Sequence, residues 1–356
     1  MEEKTDLMGM DTEEIERFLE SIGERPYRAG QIVKWIYRKG ARSFSEMTDI
    51  GGKLKGILDE RAEIGAMRIL AHQVSEAGDT EKFLFGLRDG NCIESVIMSY
   101  EDHIGPSRLT ACISSQVGCA MGCRFCATGM GGFTRNLTAG EIAGQVVMMQ
   151  REIAPSERRI ANVVLMGMGE PLMNYDNVLK AVRLMNCPEG IAIGIRHIAI
   201  STCGVIPGID RLADEGIQTK LAVSLHSPFD ETRSGMMPIN RRYPIADLMK
   251  ALRRYQKKTG RRVTFEYAMI DGVNDGLDSA KRLAELLRGL TSLINLIPLN
   301  NVTGNRAGRS PRGRIEAFKS YMEAAGVRTT VRKERGGDID AACGQLRKRM
   351  AEAGER

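Results

Sequence analysis

Three cysteines on one short loop carry the most distinctive chemistry in the sequence. GCAMGCRFCATG places Cys119, Cys123 and Cys126 in a C-x3-C-x2-C pattern. Three thiolates so spaced can hold three corners of a cubane iron–sulfur cluster, whereas a fourth would close it. An iron left without a protein ligand is useful when a cofactor or substrate must bind that iron. Gly118, Gly122 and Gly129 give the loop the backbone freedom to wrap a bulky group. A structural zinc site with Cys112 or Cys203 as fourth ligand is the competing reading. Zinc ligands usually come as two short pairs, however, and here there is a single triplet.

Other polar residues recur where strand-like runs end. GMGEP offers Gly169 for close backbone approach and Glu170 as an acceptor for an ammonium group. Ser201, the run Ser224, Leu225 and His226, and Asn300 in PLNN occupy equivalent places. Each alone reads as a turn-former or cap; together they favour a polar cofactor site. Cys343 stands far from the triplet in GGDIDAACGQL, whose glycines suggest a loop. Cys92, Cys187 and Cys203 read as packing residues.

The elements that must position these groups follow from hydrophobic period. Residues 1–64 read as a helical module. Asp11 can cap a helix with Glu14 three residues on, and Gly23 closes it. Ile32, Val33, Ile36 and Tyr37 form an apolar stripe ended by Gly40. Residues 65–104 turn β-like, with KFLFGL and CIESVIM separated by a turn at Asp89-Gly90. From 105 to 356, strand-like runs begin at Leu109, Ala161, His197, Leu221, Val263 and Leu293. Helical patterns separate them, the first opening on a Thr138/Glu141 capping box. Six such alternations imply an α/β fold, read here as an open, partial (β/α)6 barrel with chemistry at the C-terminal strand ends. A doubly wound open sheet is the alternative.

The 42% hydrophobic and 27% charged composition is that of an ordinary globular protein. No apolar run approaches the roughly 18 residues of a membrane span. The acidic start MEEKTDLMGMDTEE lacks an apolar stretch, so the expectation is a cytoplasmic protein without membrane attachment. Thiols there stay reduced, which points eight cysteines toward metal or redox chemistry. Net charge is +6, and residues 297–335 alone carry nine Lys/Arg against three Glu. That stretch, around Arg306 to Arg314 and Arg328 to Arg335, is either a solvated face or a phosphate-binding surface.

With Phe125 before its last cysteine, C-x3-C-x-F-C resembles the signature of the radical S-adenosylmethionine (SAM) superfamily. GGDIDAACGQL, and ACISSQVGC around Cys112, resemble the rRNA/tRNA adenine-C2 methyltransferase family within it, as does the layout of most of the chain. The resemblance implies a radical SAM barrel, a 4Fe–4S cluster on Cys119, Cys123 and Cys126, and two SAM molecules per turnover. It implies SAM contacts from Gly169, Glu170, Ser201, Ser224, Leu225, His226 and Asn300. It further implies that Cys343 takes a methyl group as a thiolate, that a second SAM yields a radical which removes a hydrogen from that methyl, and that the carbon radical joins the adenine. Glu94 aligns with the family's proton acceptor, although a strand Glu by default faces solvent. Cys112 then attacks the sulfur of Cys343, leaving a disulfide. The implied partners are 23S rRNA, tRNA and an electron donor such as flavodoxin, with a monomeric protein. The basic stretch fits an RNA surface, and Lys34 and Trp35 are a second candidate contact unless they serve domain packing. A related enzyme methylating adenine C8, which confers antibiotic resistance, shares these motifs. A zinc-stabilised RNA-binding module without catalysis is the non-enzymatic alternative.

Overall fold

One mixed ten-stranded sheet organises the chain, with every strand beside its neighbour in sequence. The computed structural model describes residues 4–102, 105–300, 308–333 and 335–339, with 101–102 and 105–108 described by backbone alone. The strands are β1 (Arg68–Val74), β2 (Thr80–Gly86), β3 (Cys92–Asp102), β4 (Gly105–Cys112) and β5 (Ile160–Leu165). They continue as β6 (Ile198–Thr202), β7 (Lys220–Ser224), β8 (Val263–Met269), β9 (Ser292–Pro298) and β10 (Thr329–Val331). β1 to β4 pair antiparallel, through hairpins. From β4 onward every pairing is parallel. Parallel neighbours need long crossovers, and the helical segments supply them.

The six expected parallel strands are present, and β10 adds a seventh. The stretch expected as a connector does not stand apart: its strands extend the same sheet, and the 104/105 boundary falls within the β3–β4 hairpin. The end strands β1 and β10 are not paired with each other, so the barrel is open. Burial follows the two-faced environment of a parallel sheet, with all five residues of β6 buried. Along β8 the side chains alternate. Tyr267 packs its ring, tilted, 5.3 Å from that of Phe318 on the outer helix Arg312–Ala324, which leaves Glu266 and Ala268 on the inner face.

The N-terminal module folds as its local signals dictate. Asp11 and Glu14 form a complete capping box on helix Thr12–Ser21, and Gly23 follows with φ +77°. Helix Ala29–Val33 runs on as a π-helical turn, Lys34–Arg38, and Gly40 ends it at φ +68°. The module packs closely on helix Ala139–Ile153: a Cβ on Gly140 would stand 2.1 Å from the Met8 carbonyl oxygen. An ion pair between Lys180 and Glu14, 2.7 Å, fixes it to the next helix, Tyr175–Asn186. No helix among the described residues is long and apolar enough to cross a membrane.

Candidate active site

The cysteine loop lies just beyond the C-terminal end of β4, closed at its base by a small ladder between Gln116–Gly118 and Phe133–Asn136. Its first turn demands glycine. Gly118 has φ +74°, and a Cβ there would lie 2.0 Å from the Gly132 carbonyl oxygen. The Cys119 amide donates to that same oxygen at 2.7 Å. Cys119 and Cys123 are buried and Cys126 half-buried, against Met236, Met237, Ile270 and Leu299. Burial pushes the Cys119 thiol up to about 12, reinforced by its neighbours Cys123 and Cys126. Cys126 is also raised by burial, whereas a hydrogen bond from Cys203 lowers Cys123.

A guanidinium lies buried behind this loop. Arg233 is fully buried. It donates from Nε to the Leu225 carbonyl at 3.1 Å and from Nη1 to Asn240 Oδ1 at 2.7 Å. Nη2 donates to the carbonyls of Cys203 and Ser224, at 2.7 and 3.1 Å. One guanidinium thereby ties the C-terminal ends of β6 and β7 together beside the thiols.

The strand-end residues divide into two groups. Gly169, at φ +105°, admits Gln116, whose backbone nitrogen a Cβ would approach to 2.8 Å. Glu170 is buried and accepts from Leu172 N at 3.1 Å and Cys203 N at 2.6 Å. Burial raises its pKa, and these bonds oppose the rise. Ser201 is buried at the end of β6, Ser224 is half-buried, and the Leu225 amide donates to the Glu266 carbonyl. None of these five lines the cavity described next. His226 and Asn300 instead line a cavity of about 260 Å³ together with Cys112, Phe125 and Cys126. His226 holds φ +57°, its Nδ1 accepts from Ala268 N at 2.9 Å, and Phe125 meets its ring edge-on at 4.7 Å. Burial, then Arg233, lowers its pKa to about 3, so the ring is neutral with Nε2 as the donor.

Cys112 ends β4 on the wall of this cavity, which Val96 and Met98 of β3 also line. Burial raises its thiol, and the Arg332 charge opposes that. Glu94 shares the Val96 and Met98 face of β3. It is buried, contrary to the default expectation for a strand Glu, and its Oε1 lies 3.5 Å from Nζ of the equally buried Lys82. Cys343 lies outside the described residues, as does Arg306.

Several residues of the site escape sequence reasoning. Cys203, weighed beside the triplet only as a fourth zinc ligand and otherwise expected as packing, touches Cys123 with its thiol. Glu266, buried and bonded by Asn295 Nδ2 at 2.8 Å, lines an adjoining cavity of about 400 Å³ with Tyr100 and Arg332. Alternation within VTFEYAMI was the available signal for Glu266; Arg233 carried none. Part of the basic stretch is used internally: Arg314 pairs with Asp271 and Asp275, at 2.7 and 3.0 Å. Arg332 and Lys333 are exposed on the rims of both cavities. Lys34 is exposed, while Trp35 is half-buried, bonded to Asp49 and covered by Lys39.

A thiol-bearing loop beyond the C-terminal ends of the parallel strands of an open sheet is the arrangement that the resemblance to the radical SAM superfamily implies. Residues 113–287 match the radical SAM superfamily, and residues 5–64 match the ribosomal RNA large subunit methyltransferase N-terminal domain. A relative from Symbiobacterium thermophilum, named a probable dual-specificity RNA methyltransferase RlmN, is 49% identical over 96% of this chain and 91% of its own. One of the same name from Moorella thermoacetica is 48% identical over 98% of both chains. The crystal structure of a radical SAM methyltransferase from Sphaerobacter thermophilus superposes with a TM-score of 0.92 at 48% identity, covering 96% of this chain and 98% of that one. The chain belongs to the RlmN family. Its cofactors are accordingly a 4Fe–4S cluster and SAM. The donor set suits the cluster: three soft thiols on one glycine-freed loop with apolar backing. Among the described residues no three His, Cys, Asp or Glu side chains are arranged to hold a metal ion. Cubane thiolates sit on different irons, and so stand farther apart than ligands of one ion.

Proposed function

We propose that the chain is a radical SAM methyltransferase that adds a methyl group to C2 of adenine in 23S rRNA and in tRNA. The observation that carries this reading is Cys112. A thiol outside the cysteine loop lines the same cavity as Phe125 and Cys126 of that loop. Full-length relatives bearing the dual-specificity RNA methyltransferase name support it.

Cys119, Cys123 and Cys126 would hold the cluster, with Arg233 holding the β6 and β7 ends behind them. When bound, the cluster and SAM supply a carbon-centred radical, chemistry that belongs to the cofactors rather than to the protein. His226, its Nδ1 already accepting from Ala268, keeps Nε2 to donate, and Asn300 lines the same cavity. Gly169, Glu170, Ser201, Ser224 and Leu225 complete the cofactor wall from the strand ends. Cys343, as a thiolate, accepts the methyl group that the adenine finally receives. Glu94, held beside Lys82, accepts the C2 proton. Once the adduct's unpaired electron has been given up, for which the cofactors would be the acceptor, the Cys112 thiolate forms a bond to the Cys343 sulfur as the sulfur–carbon bond to RNA breaks. The electron pair leaves with the carbon, which takes up a proton to become the methyl group. The cationic Arg332 beside Cys112 favours the thiolate that this step needs. Exposed Arg332 and Lys333 suit phosphate contacts around a base drawn out of its stack.

Incubating the reduced, anaerobically reconstituted enzyme with SAM and either RNA, then mapping the product by mass spectrometry, tests the reading. A 2-methyladenine in each RNA is the expected result. Methylation at C8, or SAM consumption without any methylated adenine, would overturn it.

A further inference from the structure

The open side of the barrel is spanned by side chains where the sheet itself stops. β10 is an edge strand, and no ladder joins it to β1, β2 or β3. The segment after it nonetheless crosses to the β1–β2 turn. Arg335 Nη1 reaches Asp79 Oδ2 at 2.8 Å, and its guanidinium lies over the Tyr100 ring at 4.9 Å. The Glu76 amide donates to Asp338 Oδ2 at 2.6 Å, and Arg332 approaches the Met98 sulfur at 3.2 Å. Gly336 turns the chain at φ +59° between the two anchor points.

Asp79 is built for this contact. Its Oδ1 accepts from Ser75 Oγ at 3.2 Å and Thr80 Oγ1 at 2.9 Å, and its carbonyl accepts from Ser99 N at 2.8 Å. The hairpin thus fixes one carboxylate oxygen and leaves the other for Arg335. Arg335 in turn lines both cavities of the barrel. Cys343 follows Asp338, the last anchored residue, by five residues, a reach of at most about 18 Å.

We propose that the Asp79–Arg335 pair, with Tyr100 and Asp338, is a clasp that positions the cysteine-bearing tail at the barrel. Asp79 and Arg335 are positioning residues: they act by confining Cys343, which raises its effective concentration beside the reacting groups. The inference rests on the reading of Cys343 as the methyl carrier.

The test uses holoenzyme with Asp79→Ala and Asp79→Glu. RNA methyl transfer, 5′-deoxyadenosine formation and hydrogen exchange of residues 335–339 are measured on each. The clasp predicts that Asp79→Ala lowers kcat for methyl transfer roughly tenfold, a typical cost of lost positioning. KM for RNA should stay within about twofold, 5′-deoxyadenosine should form at the wild-type rate, and exchange in 335–339 should rise. Asp79→Glu, which keeps the charge, should retain most of the rate. Unchanged kcat and exchange in Asp79→Ala, a loss confined to KM, or an Asp79→Glu variant as impaired as the alanine would each overturn the clasp. RNA methylation surviving in Cys343→Ala would instead remove the underlying reading, whatever Asp79 does.

Discussion

Replacing Arg233 by methionine removes the one group that joins the β6 and β7 ends behind the cysteine loop. Four acceptors lose a donor: the carbonyls of Leu225, Cys203 and Ser224, and Asn240 Oδ1, of which the Leu225 carbonyl keeps the Ser227 amide at 2.7 Å. A hydrogen bond to a charged group contributes about 1.5–3 kcal/mol, so the gross loss is on the order of 6–12 kcal/mol. Relief from burying the guanidinium returns several kcal/mol of this. Methionine fills much of the volume but donates to none of the four acceptors. A net destabilisation of about 3–5 kcal/mol follows, a large fraction of the 5–15 kcal/mol that holds a typical domain together. Melting of the anaerobic holoenzyme should drop by roughly 10 °C. Iron retained per chain should fall as well, because the Cys203 thiol touches Cys123. Arg233→Lys keeps the charge but cannot serve four acceptors, and should fall between the two. A methionine variant within about 1 kcal/mol of wild type and with full iron would refute the reasoning.

Two further perturbations probe the site separately. His226 has its pKa lowered to about 3, so the unfolded chain takes up a proton near pH 6.5 that the fold refuses. Its contribution is complete above about pH 6.5 and declines as pH falls toward 3; urea midpoints across that range should fall more steeply for wild type than for His226→Asn, and parallel slopes would refute it. Gly118→Ala forces a Cβ to within 2.0 Å of the Gly132 carbonyl at a φ of +74°. Metal analysis after anaerobic reconstitution should show most of the iron lost, and a full complement would show that the turn yields more easily than its geometry implies.

Local and periodic features were legible in the sequence. Both capping boxes form as spaced, because each involves residues only three apart. The parallel strands read as continuous apolar runs because both of their faces are covered. β10 escaped notice because three residues of Thr and Val at a sheet edge make no such run. Alternation assigns residues to two faces but does not say which face is wet. Glu94 therefore reads by default as solvent-facing, yet it is buried, as are Lys82 and Glu266. Gly169 signalled close approach correctly, yet its neighbour is Gln116. Contacts made only by strand order, such as Cys203 with Cys123 or Arg335 with Asp79, leave no local trace. Nothing in their flanking residues marks them.

The most direct measurement follows Cys112→Ala under turnover with SAM and RNA. If Cys343 carries the methyl group and Cys112 resolves the intermediate, the iron-loaded variant should accumulate a covalent protein–RNA species that survives denaturation. Release of methylated RNA at the wild-type rate, or no adduct with iron intact, would contradict the account.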